Sequence, residues 1–292
     1  MLDLHQLCQQ AIRAAHRAGA IIDSYRDRSV EVGYKPVGDS AASQVVTEVD
    51  RRAQQAIIEV LEPTISDYDL ALLAEESADD GLRFSKSAFW CVDPLDGTLA
   101  FVEKVAGYAV SIALVARDGV PLIGVVYDPV KQDTFHAIRG AGAFRNDQPI
   151  APPAPHPGAP LVLATDRSFE QHRYLVQTRD RLAQISTRLG LNGSGIDFRI
   201  GAVMNAIRVL NRPNHCYFKF FRADPGGGSI WDYAATACLF SEAGAIVCDM
   251  HGDPLELNRK ASSFLNHRGV IFSPTPELAQ AIMHLNSCID TE

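Results

Sequence analysis

Apolar residues recur at three- and four-residue steps near the start of the chain. Leu4, Leu7, Ala11, Ala14, Ala15, Ala18, Ile21 and Ile22 share one face, which predicts an amphipathic helix over 3–24. Residues 30–45 lose that rhythm and gather Gly33, Pro36, Gly38 and Ser40, a loop composition. Thr47 opens a second helix expected to run through Leu61 and to stop before Pro63, because proline has no N–H to donate. Short apolar runs follow at Leu70–Ala74, Ala88–Val92, Tyr108–Arg117, Pro121–Asp128 and Asp133–Ile138. Turn residues (Asp118-Gly119 and Asp128-Pro129) separate the last three, so they read as an antiparallel meander.

The proline-rich segment APPAPHPGAP at 151–160 reads as a linker between an N-terminal part, 1–150, and a C-terminal part, 151–292. Beyond it, strands at 161–165, 195–199, 215–220, 245–249 and 268–272 alternate with helices at 168–189, 201–211, 231–243 and 275–287. The expected class is α/β with an α+β N-terminal half. No internal repeat is visible.

At 292 residues with 47% hydrophobic and 21% charged positions, the chain can bury a large core, and disorder is not indicated. A net charge of -8 without any basic run speaks against a nucleic-acid polymer as partner. Without 18 consecutive apolar residues a membrane span is not expected. Six cysteines with no CxxC pair fit a reduced, cytoplasmic protein.

Four motifs carry candidate chemistry. WCVDPLDGT (90–98) puts Asp93 and Asp96 three residues apart at the end of a buried strand. Two acids in one tight turn can hold hard cations, with the Leu95 carbonyl as a further oxygen ligand and the Gly97 and Thr98 N–H groups as an anion cradle. Asp-Pro and Asp-Gly are also plain turn dipeptides, so a simple hairpin explains the segment equally well. AEES (74–77) places Glu75 after another buried run, where a solvated loop is the ordinary alternative. In VVTEVD (45–50), Thr47 and Asp50 have capping-box spacing with Asp in place of Glu, which needs no further role. In GGGSIWDYAATACLFSEAGA (226–245), Asp232 lies at a helix start, where the dipole alone favours an acid. The GxxxxGK[ST] pattern of a P-loop is absent.

In this order the four motifs resemble the inositol monophosphatase superfamily: VTEVD, EES, DPLDGT, and WDYAA about 130 residues later. The likeness continues through SEAGAIVCDMHGDPLEL and covers nearly the whole chain. It implies a layered αβαβα fold and lithium-sensitive phosphatase activity with two or three Mg²⁺ ions. Glu75, Asp93, the Leu95 carbonyl, Asp96 and Asp232 then correspond to metal ligands. Thr98 and Asp50, with Glu75, correspond to the groups that activate water. Asp96, Gly97 and Thr98 correspond to phosphate contacts, and Gly201, Ala202 and Lys219 to substrate contacts.

Two departures stand out. The lysine expected just before VTEVD is displaced to Lys35 by the insert GDSAA. The strand that carries an inositol-contacting acid in the family reads CYFKF here, with Lys219 in the acid's place and the insert FFRADPGGG behind it. A cation there suits a second anionic group, although Lys219 and Arg222 also read as solvated edge residues. The expected function is therefore Mg²⁺-dependent hydrolysis of a small phosphorylated metabolite, with inositol monophosphate as the family default. A 3′(2′),5′-bisphosphate nucleotidase or sugar-bisphosphate phosphatase is the alternative. A non-catalytic metal- or phosphate-binding regulator is the alternative of another class. A homodimer is left open.

Overall fold

A computed structural model of the chain describes residues 2–28, 30, 32–34, 45–222, 226, 228–265 and 267–289. Helix α1 (Leu4–Tyr25) and helix α2 (Glu48–Tyr68) pack side by side on one face of a mixed sheet. That sheet has the order β3 (Ala71–Ala74), β4 (Ala88–Asp96), β5 (Ala109–Ala116), β6 (Pro121–Asp128), β7 (Asp133–Ile138), β8 (Gly142–Arg145) and β9 (Gln148–Pro149). Strands β3 and β4 run parallel and the rest pair antiparallel; β5, β6 and β7 form the expected meander, and β4, β8 and β9 extend it. A second sheet has the order β11 (Ser194–Asp197), β10 (Leu161–Ala164), β12 (His215–Lys219), β14 (Val270–Ser273) and β13 (Ile246–Cys248).

Side-chain alternation along the strands sets the layering. In β4, Trp90 and Val92 turn toward Leu7, Ile57 and Leu61 of the first helix pair. Phe89 and Cys91 turn the other way, into a core shared with α5 (Ala202–Asn211) and α6 (Ile230–Ala243). Val203, Ile207, Leu239 and Phe240 of those helices also meet Tyr217 and Phe272 of the second sheet. Its far face is closed by α4 (Leu175–Arg188) and α7 (Pro276–Ile289), where Leu182, Ile185, Leu278 and Ile282 cover Leu161, Leu163, Phe218 and Ile271. The result is the αβαβα stack expected from the sequence.

Several local expectations are corrected. Helix α2 does not stop before Pro63 but continues to Tyr68 with Pro63 inside it. Pro63 and Glu59, whose carbonyl loses its partner, both lie on the exposed side, where water can satisfy the carbonyl. The last turns are anchored from the core side: Trp90 Nε1 donates to Thr64 Oγ1 at 2.9 Å, and Thr64 donates to the Leu61 carbonyl at 2.6 Å. Thr64→Val should therefore cost about 1–3 kcal/mol in urea unfolding by stranding the buried indole N–H. Unchanged stability would show that the anchor contributes nothing.

Within the stretch expected as loop, β1 (Val32–Tyr34) pairs antiparallel with β2 (Val45–Thr47). Lys35 and the GDSAA insert lie outside the described residues. The strand expected to end at Val92 runs on to Asp96, with its register shifted between Asp93 and Asp96. The expected helix 168–189 is split into a 3₁₀ turn at Arg167–Gln171 and α4, because His172 and Tyr174 leave the helical path to pack on Phe220, His172 at 5.9 Å and Tyr174 at 5.6 Å.

Candidate active site

The irregular end of β4 makes the site. Asp93 and Asp96 stay buried at 2% and 7% exposure although they are acids, so something other than solvent must satisfy them. Asp93 Oδ1 accepts the Leu95 N–H at 3.0 Å, which curls the strand end between the two acids. Asp96 reaches across to the start of α5, accepting the N–H groups of Ala202 at 3.1 Å and Val203 at 3.0 Å. Those donors have no partner inside a helix, and an acid suits them.

Asp232 arrives from the first turn of α6. Its Oδ2 accepts the Ser229 N–H at 2.7 Å in a capping box. The Trp231 carbonyl accepts Ser111 Oγ of β5 at 3.0 Å, which docks this helix start beside β4. Carboxylate oxygens of Asp93, Asp96 and Asp232 all lie within 4.8 Å of one another. Glu75 follows β3, with its N–H on the Val92 carbonyl at 3.1 Å, and its side chain hydrogen-bonds Asp93. Four acids from three strand or helix ends thus converge.

The electrostatics follow from that crowding. Burial, then the charges of Glu75, Asp96 and Asp232, hold the Asp93 carboxyl well above the usual carboxylate range. Asp96 is raised by burial, then by Asp232 and Asp166, with the Val203 N–H pulling the other way. Asp232 is raised by burial and partly relieved by Lys219 and the Ser229 N–H. Without a countercharge these groups would have to share protons.

Asp50 and Thr98 meet beside the cluster. Asp50 Oδ2 accepts the Thr47 N–H at 2.8 Å and the Thr47 hydroxyl at 2.6 Å, so the capping box is real. Its other oxygen accepts Thr98 Oγ1 at 2.9 Å. The cap alone does not use that second oxygen. Burial pushes the Asp50 carboxyl up to about 6; bonds from Thr47 and Thr98 oppose the rise, and the Glu75 charge adds to it. Thr98 begins α3 (Thr98–Val102) behind Gly97, whose φ is 82°. A Cβ at Gly97 would stand 2.8 Å from the Gly107 carbonyl, so the tight turn admits only glycine. The Leu95 carbonyl lies 3.1 Å from Thr98 Oγ1, a second acceptor for the one hydroxyl proton beside Asp50, and is thereby inside the site.

Gly201 and Ala202 flank Asp96, and the Ala202 N–H is taken by that carboxylate. Lys219 has a partner that the sequence did not reveal, an ion pair with Asp166. Asp166 escaped notice although a signal was present: it follows the buried run Leu161–Ala164, as Glu75 follows β3.

The family model described as the inositol monophosphatase family matches residues 3–290. A Nus factor SuhB from Pasteurella multocida is 31% identical over 288 residues, covering 97% of this chain and 96% of the relative. A 3′(2′),5′-bisphosphate nucleotidase CysQ from Aggregatibacter actinomycetemcomitans is 28% identical over 265 residues, covering 89% and 90%. In fold, the chain superposes on an inositol monophosphatase from Anabaena with a TM-score of 0.72 at 22% identity, covering 98% of this chain and 97% of that one.

Proposed function

We propose that this chain, which belongs to the inositol monophosphatase family, is a Mg²⁺-dependent phosphomonoesterase acting on a small phosphorylated metabolite. The observation that carries the reading is the convergence of Glu75, Asp93, Asp96 and Asp232 beside the Thr98–Asp50 pair. An all-oxygen set in which burial and crowding hold the Asp93, Asp96 and Asp232 carboxyls above their usual range fits hard divalent cations. Glu75, Asp93, Asp96, Asp232 and the Leu95 carbonyl would hold Mg²⁺, which supplies the positive charge that a phosphate dianion, the attacking oxygen and the leaving alkoxide all need.

The chain's own groups then handle position and protons. The Thr98 hydroxyl, donating to Asp50 Oδ1, presents its lone pairs to a water molecule. That water can pass a proton to Thr98 Oγ1 as Thr98 passes its own to Asp50 Oδ1. A carboxyl near pH 6 can accept it at neutral pH. The N–H groups that open α3 have no intrahelical acceptor and suit a phosphate oxygen. No covalent enzyme intermediate is required, since water can attack in line.

A second reading, a non-catalytic metal- or phosphate-binding regulator, is kept because the Pasteurella relative is named a Nus factor and not a phosphatase. Phosphate release from inositol 1-phosphate, adenosine 3′,5′-bisphosphate and fructose 1,6-bisphosphate separates the two. Turnover of at least one ester is expected with Mg²⁺ and none with EDTA. Ca²⁺ should bind without supporting turnover, because its longer, more numerous bonds would misplace the water. Equal rates in EDTA would sink the metal reading, and no release from any ester would favour the regulator. The five described free cysteines are buried, in keeping with a reducing compartment. Among the described residues, no helix is long and apolar enough to cross a membrane.

A further inference from the structure

We infer that Gln54 is a positioning residue for the cation site: its amide fixes the turn that carries Glu75 and so sets how tightly Mg²⁺ is held. The inference rests on the metal-dependent reading above. Gln54 lies on α2 one helical turn after Asp50 and is only 6% exposed. Its Oε1 accepts the Glu76 N–H at 2.8 Å, and its Nε2 donates to Ser77 Oγ at 2.7 Å. The Glu76 backbone group can only donate, so it fixes which end of the amide faces it. Both polar ends of the side chain are therefore used.

The turn cannot do this for itself. The Ser77 N–H returns to the Ala74 carbonyl at 3.2 Å, which makes Glu75 and Glu76 the central residues of a β-turn behind β3. The N–H groups of central turn residues have no acceptor within the turn, so each needs one from outside. The Val92 carbonyl supplies it for Glu75 at 3.1 Å, and Gln54 supplies it for Glu76. Because peptide units are planar, the first bond holds the peptide before the Glu75 Cα and the second holds the peptide after it. Both backbone torsions of Glu75 are thereby pinned, and with them the direction in which its side chain leaves toward Asp93.

Helix α2 thus serves the site at two places. Asp50 accepts Thr98 Oγ1 and belongs to the proton path. Gln54 bonds a backbone group and a serine hydroxyl, and it acts on the ion through Glu75. Losing a contact that orients a ligand weakens metal binding about 10- to 100-fold. Removal of Gln54 should therefore show in metal affinity and not in the chemistry of the filled site.

The test titrates the metal-free protein with Mg²⁺ by isothermal calorimetry. Gln54→Met, which nearly keeps the volume and removes both polar ends, should bind Mg²⁺ at least about 10-fold more weakly than the parent. Gln55→Met, on the exposed side of the same helix, is the control and should stay within about 3-fold. Gln54→Asn, one methylene shorter, should weaken binding in the same direction, and it keeps a polar side chain in case the apolar variant does not fold. With the fastest of the three esters above, the Mg²⁺ concentration for half-maximal rate should rise by the same factor as the dissociation constant. The kcat at saturating Mg²⁺ should stay within about 3-fold of the parent. Parental Mg²⁺ affinity in a folded Gln54 variant would overturn the proposal, even with a lowered melting temperature, since Gln54 would then serve only the fold. So would an equal loss in Gln55→Met. A collapse of kcat at saturating Mg²⁺ would overturn it in favour of a role through Asp50. Failure of the phosphatase reading looks different: the parent would bind Mg²⁺ yet release phosphate from no ester, and the titration would still decide the role of Gln54. A parent that binds no Mg²⁺ would sink both.

Discussion

Asp96→Asn should lower kcat/KM by at least about 100-fold, because several kcal/mol of cation-mediated charge stabilisation is at stake and about 1.4 kcal/mol is a factor of ten. The same variant should leave the metal-free fold nearly untouched. Asparagine keeps one acceptor for the two N–H groups of α5 and loses the other, a cost of about 1 kcal/mol. Against that, removing one negative charge relieves a site in which burial and neighbouring acids already disfavour ionisation. In EDTA the variant should melt close to the parent. In Mg²⁺ it should gain less stability than the parent. Near-parental turnover at saturating Mg²⁺ would remove Asp96 from the ligand set.

Gly201→Ala should be almost as damaging, by a different route. A Cβ there would lie 2.2 Å from Asp96 Oδ2 and 2.9 Å from the Gly97 Cα. The carboxylate has to move, and the backbone on its far side cannot yield easily. Overpacking of this kind costs about 1–3 kcal/mol. A displaced ligand and a disturbed Gly97–Thr98 turn should cut kcat/KM by about 10- to 100-fold, in the range seen when a ligand's supporting contacts are lost. Gly195→Ala is the matched control, since nothing lies within 4 Å of its Cβ position. It should stay within about 0.5 kcal/mol of the parent. If Gly201→Ala were as mild as the control, Asp96 would not be confined as described.

The site's acids were legible because each sits at the end of an element with a strong local signature. Asp93 and Asp96 follow a buried apolar run, Asp50 occupies a capping position, and Asp232 opens a helix. Their convergence was not a local property. It depends on long-range docking such as Ser111 on the Trp231 carbonyl, and it was the order of four motifs together that pointed to it. The misses share that cause. Pro63 is tolerated because tertiary contacts, Trp90 on Thr64, hold the turn that proline weakens. The break at 172–174 comes from aromatic stacking against Phe220, nearly fifty positions away, which helical periodicity does not encode. The partner of Lys219 was not legible because Asp166 lies just beyond the end of another strand, far away in sequence.

The central claim is that Asp93, Asp96, Asp232 and Glu75 form a cation site and not a cluster that stays internally protonated. Melting of the metal-free protein, with and without added Mg²⁺, at about pH 8 and about pH 5.5 tests it directly. The folded-state pKa values of Asp93, Asp96 and Asp232 are raised, and that of Asp50 is raised to about 6. Raised acids stabilise the fold at low pH, and that contribution is lost as pH rises through their folded values. Mg²⁺ should therefore raise the melting temperature more at the higher pH, where fewer protons compete for the raised acids. The gain should be smaller at the lower pH, where protons compete for the same oxygens. No Mg²⁺-induced rise at the higher pH, or an equal rise when Asp96→Asn is measured alongside, would contradict the account.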